Sequence, residues 1–298
     1  MKTKYVWASY RNWSFEVLEG LLDLENTECI AIVTTLDCTF DFTSFINKGI
    51  PVYRDNPKLI FEKESELMKL VNLEKPVCSF FYGWSWKIPN QYHSAHLSVT
   101  LHPGWLPNDK GGSPLQNQIR MGRESTAVNI MKIEEALDSG PIYSREVISL
   151  LGMIEEVWLR MVSAGILLTR KFLLEFPDSI ENYESNGELG SYYSRVKPID
   201  SEIKLDNMTA EQIFNIVRAH NEQDPNSYVE KAFLYWESYK FIILGCTLEN
   251  KSKVVHLEEL NTKSIFRQIL EINNDNYCLQ LNSQGGLPVY VTRLRITT

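Results

Sequence analysis

The first 176 residues alternate short apolar runs with segments of helical periodicity, and this alternation limits the possible folds more than any other feature. The runs at 4–10 (KYVWASY) and 29–35 (CIAIVTT) have the length and composition of strands. Between them, residues 13–24 (WSFEVLEGLLDL) carry apolar side chains at helical spacing: Phe15, Val17, Leu18, Leu21 and Leu22. A strand, an amphipathic helix and a buried strand predict a βαβ unit at the start of the chain.

The same alternation continues through the rest of this half. Further strands are predicted at 51–54, 76–82, 96–101, 125–133 and 141–148, and further helices at 60–73, 114–122 and 153–176. The helix at 114–122 has Ser113 as its predicted N-cap and Pro114 at its first position. Helices between strands predict a Rossmann-like, mostly parallel sheet with right-handed crossovers, whose ligands bind beyond the carboxyl ends of the strands.

The second part of the chain has a different pattern. Residues 177–203 are polar and rich in turn formers, and one helix follows at 209–220. Short strand-like runs then recur at 231–236, 239–246, 253–260, 277–281 and 288–296. We therefore expect an α/β domain at 1–180, a linker at 181–208 and a smaller, mostly β, barrel-like C-terminal domain at 209–298.

Composition limits the class of function. The net charge of −8 and the pI near 5.3 argue against an extended basic surface for nucleic acid. The five cysteines are scattered without CxxC spacing, which is typical of a reducing compartment. The sequence has no secretory signal pattern and no apolar run of about eighteen residues. These features predict a soluble, cytoplasmic protein that binds neither nucleic acid nor membrane.

His102 ends an apolar run and is followed by an unusual loop. Residues 97–119 contain three prolines and three glycines. A histidine in this position is either an ordinary polar residue at a strand end or a catalytic base at the carboxyl edge of the sheet.

Asp138 lies in the sequence Asp-Ser-Gly-Pro and also has two interpretations. It can form a plain turn in which Gly140 supplies a positive φ. Alternatively, its carboxylate can orient an imidazole, as in the general base pairs of acyl transfer. His93 and His96 together with His102 have a spacing that could bind zinc, but no carboxylate or cysteine completes the set, and we predict no metal site.

The segment 101–144 resembles the formyltransferases that use N10-formyltetrahydrofolate. Their motif reads Asn-x-His-x-x-x-Leu-Pro-x-x-x-Gly-x-x-Pro, with Asp-x-Gly-x-Ile downstream. The matching positions are His102, Leu106, Pro107, Gly111, Pro114, Asp138, Gly140 and Ile142. The stretches at 191–203 and 210–228 are similar to the linker and first helix of longer members with a barrel-like C-terminal domain.

The resemblance implies catalytic roles for His102 and Asp138, but one catalytic position differs. Where the family has asparagine, two residues before the histidine, this sequence has Thr100. A threonine offers one hydroxyl donor of shorter reach to the oxyanion. Either Thr100 substitutes, or another donor such as Asn108 acts, or the protein is slow or inactive.

The resemblance also implies a site for N10-formyltetrahydrofolate in the segment after the fourth strand, 80–89 (FFYGWSWKIP). The predicted cofactor contacts are Trp84, Ser85, Trp86, Ile88, Ala136 and Asp138. Aromatic walls and backbone polar groups suit a flat heterocycle. The alternative is that the two tryptophans only cover the edge of the sheet.

Three formyl acceptors are compatible with the resemblance. Transfer RNA requires a basic surface, yet residues 55–74 carry five acidic residues against three lysines. A glycinamide transformylase would be shorter and would have a glycine-rich loop where this chain reads ASYRNWS. A nucleotide-linked amino sugar, used in surface glycan biosynthesis, is preferred, with Asp109, Lys110 and Ser113 near the sugar. Methionyl-tRNA formylation and a non-catalytic binding protein are the alternatives. The nucleotide, the sugar, the ring position of its amine and the oligomeric state, including a homo-oligomer, are left open.

Overall fold

The computed structural model describes residues 2–181, 183–187, 189–220, 229–236, 239–249, 256–257, 279–284 and 287–297. The chain divides into two compact units. The first comprises 1–111, 126–149 and 158–193, and the second comprises 112–125, 150–157 and 194–298. The predicted linker at 181–208 is therefore divided between both units, because its first part packs with the α/β unit.

The described strands are β1 (Thr3–Ala8), β2 (Thr27–Thr35), β3 (Val52–Asp55), β4 (Cys78–Phe81), β5 (Ser98–Pro103), β6 (Lys110–Gly111), β7 (Ser125–Lys132), β8 (Ile142–Ser149), β9 (Tyr192–Tyr193), β10 (Phe233–Trp236), β11 (Tyr239–Thr247), β12 (His256–Leu257), β13 (Leu279–Asn282) and β14 (Pro288–Thr297). The described helices are α1 (Asn12–Glu19), α2 (Thr43–Asn47), α3 (Glu66–Glu74), α4 (Asn90–Ala95), α5 (Pro114–Arg120), α6 (Ile154–Leu174), α7 (Asp178–Glu181) and α8 (Ala210–Ala219). The short helices α2, α4 and α7 have too few periodic positions to be predicted from the sequence.

The first unit is built on a seven-stranded sheet in the order β3-β2-β1-β4-β5-β7-β8. The pairs from β3 to β5 are parallel, and β7 runs antiparallel to β5. The predicted α/β class is confirmed. The strand order reverses between β1 and β4, which is the point where open α/β sheets bind ligands beyond the carboxyl ends of their strands.

Large aromatic side chains fill the core around β1 and β4. Trp7, Phe80 and Tyr82 are fully buried. The ring centroids of Trp7 and Tyr82 are 4.7 Å apart, and Trp7 Nε1 donates to Ser14 Oγ at 3.0 Å. Each buried side chain of this size contributes about 1.5–3 kcal/mol relative to exposure. The two strands are thus a rigid support for the loops that follow them.

The side-chain hydrogen bonds at the starts of α3 and α5 differ. Helix α3 begins at Glu66 rather than at residue 60, because the Ser65 hydroxyl accepts the Met68 N–H and caps the helix there. Ser113 is the N-cap of α5 with Pro114 at the first position, as predicted. Its hydroxyl does not cap the helix, however, because Ser113 adopts a φ of +46° and its Oγ accepts the Val196 N–H at 3.2 Å.

The second unit contains the small β structure predicted at the end of the chain. Helix α8 begins with a capping box between Thr209 and Gln212. The strands form a five-stranded sheet in the order β10-β11-β14-β12, with β13 paired to β14. The core includes Ile213, Val217, Phe241, Ile243 and Val291. The barrel-like closure stays a prediction, because the strand predicted at 253–260 is described only at 256–257.

Among the described residues, Cys29, Cys38, Cys78 and Cys246 are free thiols, and Cys278 lies outside the described residues. No helix within the described ranges has both the length and the apolar character needed to span a bilayer.

Candidate active site

His102 lies in β5, one residue before the strand ends at Pro103. Strand β7 pairs with it, with Asn129 opposite His102. The Asn129 amide donates to the His102 carbonyl at 2.9 Å and to the Gly104 carbonyl at 2.7 Å. This buried amide fixes the backbone where the chain leaves the sheet, a role that no local sequence signal reveals.

The imidazole of His102 is buried between two acceptors. Its Nε2 is 2.6 Å from the Asp109 carbonyl oxygen, and its Nδ1 is 3.5 Å from Asp138 Oδ2. A carbonyl oxygen can only accept, so Nε2 carries a hydrogen in this arrangement. The 3.5 Å separation exceeds the usual N–H···O range, so the contact with Asp138 is an electrostatic one. The structure therefore brings together the predicted His–Asp pair.

The Asp138 carboxylate is fixed by the loop that follows β5. Its Oδ2 accepts the Gly111 N–H at 2.8 Å. The positive φ of the turn lies at Asp138, at +48°, and not at Gly140 as predicted. Gly140 is required for another reason, because a Cβ there would clash with the Lys132 carbonyl oxygen.

The structure gives Asp109 and Lys110 contacts that differ from their predicted role beside the sugar. Asp109 is fully buried, and its carboxylate accepts the Trp105 N–H at 2.8 Å and the Tyr193 hydroxyl at 2.9 Å. Lys110 is also fully buried, and its ammonium donates to the Gly187 carbonyl at 3.2 Å. Both side chains hold the loop in place and do not face solvent. Ser113 belongs to the second unit.

Thr100 is half-buried on β5, and its hydroxyl already has a partner. Thr100 Oγ1 donates to the Phe81 carbonyl oxygen at 2.9 Å. A hydroxyl has one hydrogen, so this donor is used within the sheet in the conformation described. Asn108, the alternative donor, is exposed at the tip of the loop, and its backbone N–H donates to the Trp105 carbonyl.

Aromatic side chains cluster beyond the carboxyl ends of β1 and β4. The ring centroids of Trp84 and Trp86 are 5.1 Å apart, and Trp86 lies 4.9 Å from Tyr10. The hydroxyls of Tyr10 and Ser85 are 2.6 Å apart, and Ile88 is buried. Trp84 Nε1 is buried and has no hydrogen-bond partner among the described residues. Aromatic faces beside an unsatisfied donor fit a flat heterocycle that carries acceptor atoms.

Other predicted residues lie apart from these contacts. Ala136 is exposed, and its carbonyl accepts the Ser139 hydroxyl at 2.7 Å. His93 is buried in α4, and His96 packs on Tyr92 at 5.1 Å. Within the part of the chain that the structure describes, no group of three potential metal ligands is found.

The fold and the site together define a class of protein. It is an α/β protein with a buried histidine in a central strand beside the carboxylate of Asp138, an aromatic cluster at the point where strand order reverses, and a second, β-rich unit.

Known formyltransferases resemble the chain in sequence and in fold. No family model matches the chain. Methionyl-tRNA formyltransferase from Lactobacillus gasseri is 26% identical over 307 aligned positions, covering 92% of this chain and 93% of that protein. In structure, methionyl-tRNA formyltransferase from Clostridium thermocellum matches with a TM-score of 0.61 and 22% identity, over 84% of this chain and 95% of that one. An N-formyltransferase from Helicobacter canadensis, solved with folinic acid and dTDP-3-aminofucose, matches with a TM-score of 0.61 and 16% identity, over 98% and 99%. The sequence and structure neighbours of the chain are formyltransferases, the family that its motif resembles.

Proposed function

We propose that the protein transfers the formyl group of N10-formyltetrahydrofolate to the amine of a nucleotide-linked amino-deoxy sugar, for surface glycan biosynthesis. The observation that carries the formyl transfer is the buried pair of His102 and Asp138, 3.5 Å apart, in the register of the family motif. The sugar acceptor is supported by the N-formyltransferase from Helicobacter canadensis, which matches nearly all of both chains and was solved with a dTDP-linked amino sugar.

Charge also favours a small acceptor over a transfer RNA. Binding to a phosphate backbone needs clustered, unpaired cations. The net charge of this chain is −8. In the acidic segment 55–74, the ammonium of Lys69 lies 3.1 Å from a carboxylate oxygen of Glu66. A single nucleotide diphosphate requires far fewer cations than a folded RNA.

The aromatic cluster of Tyr10, Trp84 and Trp86 would hold N10-formyltetrahydrofolate. Trp86 and Tyr10 offer ring faces, and the unsatisfied Trp84 Nε1 offers a donor to an acceptor atom of the pterin. When bound, this co-substrate would supply an electrophilic formyl carbon. The aromatic cluster would align this carbon with the amine, since alignment of two bound reactants provides much of the rate.

Acid–base work falls to His102 and Asp138. The neutral sugar amine forms a bond to the formyl carbon and loses a proton, while N10 gains a proton as its bond to that carbon breaks. His102 would accept the first proton and deliver the second, and Asp138 would balance the imidazolium charge. In the described arrangement Nε2 carries a hydrogen and contacts the Asp109 carbonyl. For Nε2 to accept the amine proton, substrate binding must loosen this contact and the ring hydrogen must lie on Nδ1, which faces Asp138.

Thr100 is proposed to stabilise the formyl oxygen as it gains charge. Its hydroxyl would have to leave the Phe81 carbonyl to do so, which makes it a weaker donor than the amide of the family.

A second candidate acceptor is methionyl-tRNA. The observation in its favour is the relative from Lactobacillus gasseri, which is named methionyl-tRNA formyltransferase and aligns over 92% of this chain.

The deciding experiment offers both acceptors to the purified protein. N10-formyltetrahydrofolate is supplied with a panel of UDP- and dTDP-linked amino sugars, or with charged methionyl-tRNA, and mass spectrometry detects the formylated product under single-turnover conditions. We expect a mass gain of one formyl group on an amino sugar, absent in His102→Ala. Formylation of the tRNA alone would establish the second candidate. No product from either acceptor would favour the non-catalytic binding protein.

A further inference from the structure

A segment outside the family motif contacts two parts of the site: the loop after β5 and the turn that contains Asp138. Residues 184–187 and 189–193, here called the strap, follow the last helix of the first unit. The strap lies against the loop after β5 on one side and against Asp138 on the other, and all three belong to the first unit.

On the loop side, the strap pairs as a strand. β9 pairs in parallel with β6, matching Lys110 with Tyr192 and Gly111 with Tyr193. The Lys110 N–H donates to the Ser191 carbonyl at 3.1 Å. The Gly111 N–H donates to the Asp138 carboxylate. The pairing of β6 with β9 therefore fixes the position of the backbone group that orients this carboxylate.

On the Asp138 side, a single amide makes the contact. Asn186 is 6% exposed, and its Nδ2 donates to the Asp138 carbonyl oxygen at 2.7 Å. Asp138 has a φ of +48°, a conformation that residues with a side chain seldom adopt. The strap is anchored beside it, because Glu184 and Ile142 exchange backbone hydrogen bonds of 2.8 and 2.9 Å.

We infer that Asn186 is a positioning residue for formyl transfer, whose amide holds the Asp138 backbone so that the carboxylate faces His102. The inference rests on the catalytic pair of the proposed function. Asn186 Oδ1 is buried and lacks a hydrogen-bond partner among the described residues, so donation to Asp138 is the bond that this amide contributes. A buried amide with one unsatisfied atom is costly to keep, which agrees with a role in the reaction.

The test removes the donor while keeping the shape. Asn186→Leu is nearly isosteric and cannot donate, and Asn186→Gln restores an amide on a longer stem. Ser185→Ala is the matched control, because Ser185 is the exposed neighbour of Asn186 on the same strap. We expect kcat of Asn186→Leu to fall by up to about a hundredfold, since small displacements of catalytic groups have effects of this size. KM for both substrates should stay within about twofold, Asn186→Gln should recover part of kcat, and Ser185→Ala should match wild type.

A second readout does not require turnover. The ring signals of His102 in NMR spectra report the neighbouring carboxylate, and Asp138→Asn supplies the reference for its loss. We expect Asn186→Leu to move these signals toward those of Asp138→Asn, and Ser185→Ala to leave them in place. Unchanged kcat and unchanged ring signals in Asn186→Leu would overturn the inference. If Asn186→Leu does not fold, the same readouts on Asn186→Ala decide. If wild type formylates no acceptor, the proposed function fails, yet the ring signals still show whether Asn186 positions Asp138.

Discussion

A comparison of His102 in the first unit with His220 in the second shows which surroundings of a buried histidine suit acid–base chemistry. His102 is flanked by the Asp109 carbonyl and the Asp138 carboxylate, both of which accept hydrogen bonds. His220 Nδ1 lies 2.8 Å from Ser201 Oγ, and the Ser201 hydroxyl donates to the Glu230 carbonyl at 2.6 Å. His220 Nδ1 is therefore the donor to Ser201.

The second histidine is held neutral. Burial, together with a smaller effect of the nearby Arg120, lowers the pKa of His220 to about 3, and Asp200 opposes this shift only in part. Its Nε2 has no hydrogen-bond partner among the described residues. A buried ring that contacts only a hydroxyl is thus a structural histidine, while the contact of His102 with Asp138 places a negative charge directly beside the ring. The comparison predicts which of the two residues the reaction depends on.

The largest expected effect is on turnover. His102→Ala and Asp138→Ala should each lose at least about a hundredfold in formyl transfer, because general acid–base residues contribute 10²–10⁴. Steady-state kinetics on folded protein measures this. His220→Asn, which keeps a donor to Ser201, should retain near-normal turnover. An inactive, folded His220→Asn together with an active His102→Ala would reverse the comparison.

The next effect is that of a ligand. A stable analogue of N10-formyltetrahydrofolate should stabilise the native state, by about 2.7 kcal/mol at a hundredfold excess over Kd. Differential scanning calorimetry measures the stabilisation, and tryptophan fluorescence should be quenched if Trp84 or Trp86 lines the site. NMR should show changed ring signals for His102 and unchanged ones for His220. A saturating analogue that leaves the melting temperature in place would remove the folate site from the proposal.

A smaller effect concerns acid stability. The folded pKa of His220, about 3, lies below its unfolded value of about 6.5, so the unfolded state binds the proton more readily. The neutral His220 therefore contributes fully to the free energy of unfolding above pH 6.5, and this contribution is lost as pH falls toward 3. Between pH 7.5 and pH 5 the loss should be about 2 kcal/mol. Urea unfolding at several pH values measures it, and His220→Asn should flatten the curve; an equally steep curve in that variant would assign the loss to other groups.

The smallest expected effect is at Thr100. Thr100→Val keeps the shape and removes the hydroxyl, and turnover should fall about tenfold with little change in KM, since the bond would act mainly in the transition state. Thr100→Asn should equal or exceed wild type. Full activity of Thr100→Val would mean that the oxyanion donor lies elsewhere, with Asn108 as the candidate. An inert wild type with an active Thr100→Asn would support the non-catalytic alternative.

The parts of the molecule that the sequence predicts are those with local signals. Alternating apolar runs reveal a parallel sheet because buried strands and their crossover helices repeat over short distances. The motif identifies His102 and Asp138 by spacing. Asn186 and Tyr10 escape prediction, because each contacts residues far along the chain through an amide or a ring with no distinctive neighbours. The positive φ of Asp138 is also missed, since glycine is the usual residue for that conformation and one stands two positions away.

The parallel pairing of β6 with β9 has a consequence for folding during synthesis on the ribosome. The loop takes its final form only when Lys110 pairs with Tyr192. A nascent chain that ends soon after Asp138 therefore contains His102 and Asp138 but not the strand that supports the loop between them. At a synthesis rate of about 5–20 residues per second, residues 139–193 take roughly 3–11 s to add. Until residue 193 has been added, β6 lacks its partner strand, and the Gly111 N–H that contacts Asp138 lacks the support of this pairing.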